Sequence, residues 1–136
     1  MQSRTMAEMV RNQDPLTMTP GASVQEARAA MHKRRVGAVL VADGQRLLGI
    51  FTGRDAVHAL AVGLDPQRTL VGQVMTAEPC CLSAHDRAHD ALRLMAEGGF
   101  RHLPVAEDGH LRGIVSPYDF RAQEHRRMDE ETGLVE

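Results

Sequence analysis

The stretch GIFTGRD at residues 49–55 returns as GIVSPYD at residues 113–119, which lie 64 positions further along the chain. Both stretches consist of a glycine, two apolar residues, a Thr or Ser, two variable residues and an Asp. The same offset superposes residues outside these stretches: Ala27 on Ala91, Met31 on Met95, Val41 on Val105 and Leu47 on Leu111. Similarity at a fixed period indicates a repeated supersecondary unit, so we expect two copies of about 60 residues each.

Two helices are predicted in each copy. In the first copy, Ser23 and Glu26 have the spacing of a capping box, and the apolar pattern predicts a helix over residues 24–34. In the second copy Arg87 stands at the place of Ser23, so Asp86 is predicted to cap the first helix. The apolar residues of that helix are Ala88, Ala91, Leu92 and Met95. The last helices are predicted after Thr52, with Ala56, Val57, Leu60 and Ala61, and after Ser116, with Pro117 at the first helical position.

Two strands joined by a tight turn precede the last helix of each copy. The first pair is predicted over residues 36–42 and 47–51, around the hairpin signal Asp43-Gly44. The second pair is predicted near residues 101–106 and 111–115, around Asp108-Gly109. With one strand before the first helix, the expected fold class is α/β (α+β), made of two tandem β-α-β-β-α repeats.

The predicted domains are a first repeat at 5–62, a linker at 63–70, a second repeat at 71–125 and a charged tail at 126–136. A unit of about 60 residues buries only about 60% of its unfolded surface, which is marginal. We therefore expect the repeats to pack with pseudo-twofold symmetry into one globular module. Such packing leaves two clefts lined by helix N-termini, where anions and polar oxygens bind well.

Composition excludes several classes of function. The 136 residues carry a formal net charge of −2 and only 3% aromatic residues, which argues against nucleic acid as a partner. No apolar run reaches the roughly 18 residues that a membrane helix needs, and Arg4 and Glu8 interrupt any signal-peptide pattern. Cys80 and Cys81 are adjacent, which favours free thiols in the cytoplasm. No base, acid and nucleophile can be assembled, so we predict no catalytic residues and no enzyme.

The two seven-residue stretches resemble the signature of CBS repeats. The sequence FRHLPV at residues 100–105 is similar to the second strand of that family. The resemblance covers residues 5–125, which include both copies. It implies a stand-alone pair of tandem CBS repeats, known as a Bateman module.

The resemblance implies a regulatory module that binds an adenosine-type small molecule and needs no cofactor. The implied regulatory ligands are AMP, ADP, ATP or S-adenosylmethionine. In this family the aspartates hold the ribose hydroxyls, and Ser or Thr meets sugar or phosphate oxygens. In some members basic residues of the second strand touch the phosphates. The residues in matching positions here are Thr52, Arg54, Asp55, Ser116, Asp119, Arg101 and His102. Gly37-Ala38 replaces the basic pair in the first repeat, so we expect unequal clefts.

A structural explanation of the same motif stays open. Thr52 with Asp55, and Ser116 with Asp119, have the spacing of a capping box, which stabilises a helix by about 1 kcal/mol. The alternative function is therefore a structural or dimerisation module without a ligand. Similar family members form homodimers through their helices, so we expect a homodimer and a regulated protein partner, with no nucleic acid and no membrane.

Two further clusters have simpler explanations. Cys80, Cys81, His85 and His89 lie close in sequence, but the cysteines are predicted on opposite faces of a strand and His85 precedes the helix. No metal site is therefore predicted. The basic run at residues 33–35 ends a helix, where cations complement the helix dipole. Attraction of nucleotide phosphates is the alternative role for this run.

Overall fold

A computed structural model describes the backbone of residues 3–132 and the side chains of residues 3–130. The predicted mixed α+β class is confirmed. In chain order the elements are α1 (Met6–Val10), β1 (Thr17–Met18), α2 (Val24–Arg34), β2 (Ala38–Asp43), β3 (Arg46–Thr52), α3 (Gly53–Ala61), α4 (Val71–Val74), β4 (Thr76–Ala77), α5 (Ala88–Gly98), β5 (Leu103–Glu107), β6 (His110–Val115), a 3-10 turn (Pro117–Asp119) and α6 (Ala122–Thr132).

Helices α2 and α5, which correspond to each other in the two copies, end in the same way. Helix α2 ends at Arg35, which has a left-handed backbone with φ 55°. Its N–H bonds to the carbonyl of His32, and the N–H of Val36 bonds to the carbonyl of Met31, which closes the last turn. Gly99 holds the same place after α5, with φ 71°. Glycine adopts this conformation at little cost, whereas Arg35 adopts it against a steric penalty.

The two hairpins have two-residue turns at corresponding positions, but only the second turn contains its Asp-Gly pair. Asp108 and Gly109 form the second turn, and both have positive φ, as this hairpin signal requires. The first turn was predicted at Asp43-Gly44, and that position is wrong by one residue. Asp43 is the last residue of β2 and pairs with Arg46, so Gly44 and Gln45 form the turn.

The described residues form two compact units that do not follow the sequence repeats. The early unit contains residues 14–79 and 109–111, and the late unit contains residues 3–13, 80–108 and 112–132. Helix α1 therefore belongs to the late unit, although it lies at the start of the chain. Its side chains explain this, because Met6 and Val10 are buried in the core of the late unit.

Each unit has its own apolar core. The core of the early unit consists of Val24, Ala27, Met31, Val39, Val41, Phe51 and Val71. The core of the late unit consists of Met6, Val10, Leu82, Ala88, Ala91, Leu92, Met95, Leu103, Val105, Val115, Phe120 and Met128. The predicted apolar residues of α2 and α5 are thus core residues. On α3, by contrast, Val57 and Leu60 are 68% and 64% exposed, and Ala59 is buried.

The second copy departs from the prediction at its first helix. Asp86 does not cap α5, because its Oδ2 accepts from the N–H of Ser83 at 2.8 Å. The N-cap position belongs to Arg87, whose N–H donates to Oδ2 of Asp90 at 2.9 Å. The strand before this helix is reduced to one parallel bridge between Leu82 and Val105. In the first copy the same pairing joins two residues of β1 to β2.

The end of the chain also differs from the prediction of a helix directly after Ser116. A three-residue 3-10 turn follows Ser116, then the backbone is extended at Phe120, and α6 begins at Ala122. The segment predicted as a charged tail, 126–136, continues as helix to Thr132, and Met128 is buried. Residues 133–136 lie outside the described residues.

The helices are short. The longest in the described range, α2, α5 and α6, have 11 residues each. Such a helix is about 16 Å long, whereas a bilayer core is about 30 Å thick. None of the helices described between residues 3 and 132 is both long and apolar enough to cross a membrane.

Candidate functional site

The first of two half-sites, the early half-site, lies where β3 leads into α3 and contains Thr52, Arg54 and Asp55. Thr52 is the N-cap, with an extended backbone. Oδ2 of Asp55 accepts from the N–H of Thr52 at 2.9 Å and from its Oγ1 at 3.1 Å. The N–H of Asp55 donates to Oγ1 of Thr52 at 3.3 Å. The two side chains therefore form a complete capping box, and both are half-buried.

The start of α3 is also joined to the entrance of β2. The N–H of Gly53 donates to the carbonyl of Gly37 at 3.0 Å. This places the Gly37-Ala38 backbone next to Thr52. In the sequence of the second copy the corresponding residues are Arg101 and His102. Neither Gly37 nor Ala38 carries a charge, whereas Arg54, which is exposed in the first turn of α3, does.

The late half-site lies where β6 leads into the 3-10 turn and contains Ser116 and Asp119. Oδ2 of Asp119 accepts from the N–H of Ser116 at 2.7 Å and from its Oγ at 3.4 Å. The N–H of Asp119 donates to the backbone carbonyl of Ser116, which is the 3-10 pattern. Ser116 is half-buried, whereas Asp119 is exposed. The hydroxyl–carboxylate pair is thus present, on a shorter element.

Arg101 and His102 accompany the late half-site. Burial lowers the pKa of His102, the Arg101 guanidinium lowers it further, and the Asp119 carboxylate acts in the opposite direction. His102 is half-buried and Arg101 is exposed. Because its pKa lies below the ordinary value, the His102 ring is neutral at pH 7 and offers one donor and one acceptor.

The structure adds one residue that the sequence did not indicate. Nη2 of Arg4 donates to the backbone carbonyl of Asp119 at 3.2 Å. The same guanidinium donates to Glu124 through Nη2 at 2.6 Å and through Nε at 3.1 Å. Arg4 and Asp119 are 115 residues apart, and no local pattern signals a contact over such a separation.

The carboxylates of Asp55 and Asp119 have acceptor capacity beyond the caps. An ionised carboxylate has about four acceptor positions on its two oxygens. In both half-sites the hydrogen bonds from Thr52 or Ser116 go to Oδ2. Each carboxylate is thus held in place by its own cap while it retains the chemistry needed to accept vicinal hydroxyls.

Comparison with known families accounts for the repeated pattern. A family model described as CBS domain matches residues 7–62 and again residues 71–125. The chain belongs to the CBS-domain family. The two matched segments are the two sequence copies, and each contains one Thr/Ser–Asp pair of the CBS signature.

The relatives of this CBS pair include longer proteins. The CBS domain-containing protein CBSCBSPB2 of Arabidopsis thaliana is 43% identical over 102 residues, which are 74% of this chain and 19% of that protein. The chain therefore spans about a fifth of the length of this relative.

Solved structures share the CBS fold. One is the CBS domain protein PAE2072 from Pyrobaculum aerophilum complexed with AMP, with a TM-score of 0.84, 22% identity and coverage of 93% of this chain and 99% of that one. Another is the CBS domain pair of protein MJ0100 in complex with 5-methylthioadenosine and S-adenosyl-L-methionine, with a TM-score of 0.76, 21% identity and coverage of 85% and 95%. At these identities the likeness shows a common fold.

The cysteine and histidine cluster of this CBS pair has no metal-binding geometry. Among the side chains described, no group of three or more His, Cys, Asp or Glu is arranged to hold a metal ion. Cys80 and Cys81 are exposed, form no disulfide, and lie in an irregular segment, not in the predicted strand. Partial burial of the Cys81 thiol raises its pKa, and the neighbouring Cys80 adds to this effect.

The basic run at the end of α2 lines an open depression of the early unit. Its lining residues are Met31, His32, Lys33, Arg35 and Val36. The guanidinium of Arg34 instead donates to the backbone carbonyl of Asp14. The depression is defined by the C-terminal turn of α2, where cations complement the helix dipole.

Proposed function

We propose that the chain is a non-catalytic regulatory module that binds an adenosine-containing ligand, such as AMP, ADP, ATP or S-adenosylmethionine, in clefts between the two CBS repeats. The observation that carries the proposal is the pre-positioned carboxylate next to a hydroxyl in both half-sites. The adenosine ligands named for the Pyrobaculum protein and for protein MJ0100 give the ligand class.

The proposed chemistry uses the carboxylates of Asp55 and Asp119 as ribose readers. Each would accept the two vicinal hydroxyls in charge-assisted hydrogen bonds, which are worth about 1.5–3 kcal/mol each. A sugar without that pair of hydroxyls would leave the carboxylate with unmatched acceptors. The arrangement therefore favours ribonucleosides over deoxyribonucleosides.

The half-sites are proposed to differ in how they treat phosphate. In the late half-site, Arg101 supplies a charge and the neutral His102 supplies a hydrogen-bond donor. In the early half-site the equivalent positions are Gly37 and Ala38, and Arg54 is the available cation. We therefore expect a charged nucleotide to prefer the late half-site.

The proposed signal is a change in conformation or in association. A ligand shifts such an equilibrium only through its different affinity for the two states. The exposed apolar side chains of α3, Val57 and Leu60, favour association with a second copy of the chain or with a regulated protein. The exposed thiols of Cys80 and Cys81 suit a reducing, cytoplasmic location.

A ligand-free structural or dimerisation module is the second candidate. It is favoured by the cap bonds, because Asp55 and Asp119 already accept hydrogen bonds within the protein. In this case the aspartates would matter for stability alone.

Asparagine variants separate the two candidates. Asp55→Asn and Asp119→Asn keep an oxygen that can accept the cap N–H but remove the charge that would bind ribose. Titration calorimetry with AMP, ADP, ATP and S-adenosylmethionine should show binding to the wild type and, in each variant, a loss of about tenfold or more in affinity at the altered half-site, with little change in Tm. Absence of heat with all four compounds, or equal affinities in the wild type and both variants, would overturn the proposal in favour of the structural module.

A further inference from the structure

The late half-site rests on an element too short to hold itself. Asp119 lies in a 3-10 turn of three residues, and the next residue, Phe120, has φ −97° and ψ 147°. The closing bond of this turn, from the N–H of Phe120 to the carbonyl of Pro117, is 3.4 Å long. Asp55, by contrast, lies in the first turn of a nine-residue α-helix. Asp119 therefore depends on support from outside the turn in addition to its own cap.

Arg4 provides that support. Its guanidinium meets both carboxylate oxygens of Glu124, at 2.6 and 3.1 Å, and donates a third bond to the carbonyl of Asp119 at 3.2 Å. The side chains of Arg4 and Glu124 are only 25% and 10% exposed. A two-pronged Arg–carboxylate pair fixes direction as well as distance. It thus acts as a clamp on the 3-10 turn.

Glu124 is itself fixed at the start of α6. Its Oε1 accepts from the N–H of Arg121 at 2.7 Å. Burial alone would raise the pKa of Glu124, but the hydrogen bonds from Arg4 and from the Arg121 backbone lower it below the ordinary value. Glu124 is therefore ionised at pH 7, and the clamp carries its full charge.

The other end of the clamp is anchored through the backbone. The carbonyl of Arg4 accepts from the N–H of Ala88, the first residue of α5, at 2.9 Å. Thr5 forms a β-bridge with Arg87, and the N–H of Met6 donates to the carbonyl of Asp86. The segment before α1 is therefore tied to the start of α5, and Arg4 reaches the 3-10 turn from a fixed base.

We propose that Arg4 is a positioning residue of the late half-site, which holds the Asp119 backbone in the geometry needed to bind a ribonucleotide. This inference rests on the proposed function. It deepens that function, because it makes ligand affinity at one half-site depend on a residue outside the repeat that carries the half-site.

The first copy has no equivalent clamp. The residue 64 positions after Arg4 is Arg68, whose side chain is 90% exposed and lies 3.8 Å from Asp65. Position 60, which matches Glu124, is the apolar Leu60. Arg68 is therefore a matched control for Arg4: the same residue type at the corresponding place, without the contacts.

The test is an AMP titration in an Asp55→Asn background, where the late half-site supplies the remaining affinity. Arg4→Ala should weaken AMP binding by about tenfold, because three charge-assisted bonds are lost. Arg4→Lys, which keeps the charge but cannot form the fork, should recover part of that affinity. Arg68→Ala should change nothing. Hydrogen exchange of the Ser116, Asp119 and Phe120 amides without ligand should accelerate in Arg4→Ala only.

The outcomes separate the clamp from the proposed function. Unchanged AMP affinity in Arg4→Ala overturns the inference while the proposed function stands. A lower Tm with unchanged AMP affinity would mean that Arg4 has a purely structural role, which also overturns it. If AMP does not bind the wild type, the function of the half-sites fails, and the amide exchange then decides: unchanged exchange in Arg4→Ala shows that no clamp exists.

Discussion

The early and late half-sites share one seven-residue pattern but are supported in different ways. The early half-site is held by its own helix, since the capping box of Thr52 and Asp55 opens nine helical residues. The late half-site is held from outside, since its turn ends after three residues and Arg4 contacts Asp119. A local motif therefore specifies the cap, whereas the residues around it decide how firmly the cap is held.

The cause of the difference lies in the residue that follows the motif. Ala56 follows Asp55 and continues the helix, whereas Phe120 follows Asp119 and is buried in the core of the late unit. Burial of a Phe side chain stabilises the fold by about 1.5–3 kcal/mol. Differences in helix propensity amount to tenths of a kcal/mol. Burial of the Phe120 ring therefore outweighs the helix propensity of the residues that follow Asp119.

The largest expected effect on stability comes from Phe120→Ala, which removes the buried ring that distinguishes the late half-site from the early one. Loss of a buried aromatic ring should lower the free energy of unfolding by about 3–5 kcal/mol, measured by urea denaturation. Tyr118→Ala, two residues away, is the control, because Tyr118 is 86% exposed and its loss should stay within about 0.5 kcal/mol. Similar losses in both variants would contradict the assigned role of Phe120.

A smaller effect on stability is expected when low pH protonates the Glu124 carboxylate of the clamp. The pKa of Glu124 is lowered in the folded chain, so its stabilisation is complete above about pH 4.5 and is lost as pH falls through the lower folded value. Glu124→Gln should lower stability at pH 7 by about 1–2 kcal/mol, and the gap to the wild type should narrow at acid pH. Glu8, Asp119 and Arg121 lie close enough to influence the pair. If this difference in unfolding free energy between Glu124→Gln and the wild type did not change with pH, the ionised Glu124 could not be its source.

The smallest expected effect is the difference in stability between a variant without the Thr52 hydroxyl and a variant without the Ser116 hydroxyl. Oγ1 of Thr52 accepts from the N–H of Asp55, so Thr52→Ala should lower the free energy of unfolding by about 1 kcal/mol. Oγ of Ser116 makes only a 3.4 Å contact with Asp119, so Ser116→Ala should lower it by less than about 0.5 kcal/mol. Thermal unfolding of Thr52→Ala and Ser116→Ala under the same conditions measures the difference between the two losses in stability. Equal losses would show that the two caps are equivalent.

Much of the fold could be predicted because its signals are local. The cap at Ser23, the apolar spacing of α2 and α5, and the turn at Asp108-Gly109 depend on residues a few positions apart. The division into compact units could not be predicted this way. It depends on the core in which Met6 and Val10 are buried, and the other residues of that core lie far away in the sequence.

The candidate site divides in the same way. The pairing of Thr52 with Asp55 and of Ser116 with Asp119 follows from their spacing of three. At the start of α5 the carboxylate of Asp90, not that of Asp86, accepts from the N–H of Arg87. Both aspartates stand three residues after the residue whose N–H they accept, so a spacing of three does not decide which of them serves α5. Arg4 is the clearest case, because its partner Glu124 lies 120 residues away.

The place of α1 in the late unit affects how the chain can be divided. A fragment cut to the second repeat alone, 71–125, would lack Met6 and Val10 and would leave an apolar opening in its core. It would also lack Gln13, whose side-chain amide bonds to both the N–H and the carbonyl of Ile114 at 2.7 and 2.8 Å. The second repeat thus takes part of its hydrophobic interior, and a hydrogen-bonding partner for β6, from residues 6–13 near the opposite end of the polypeptide.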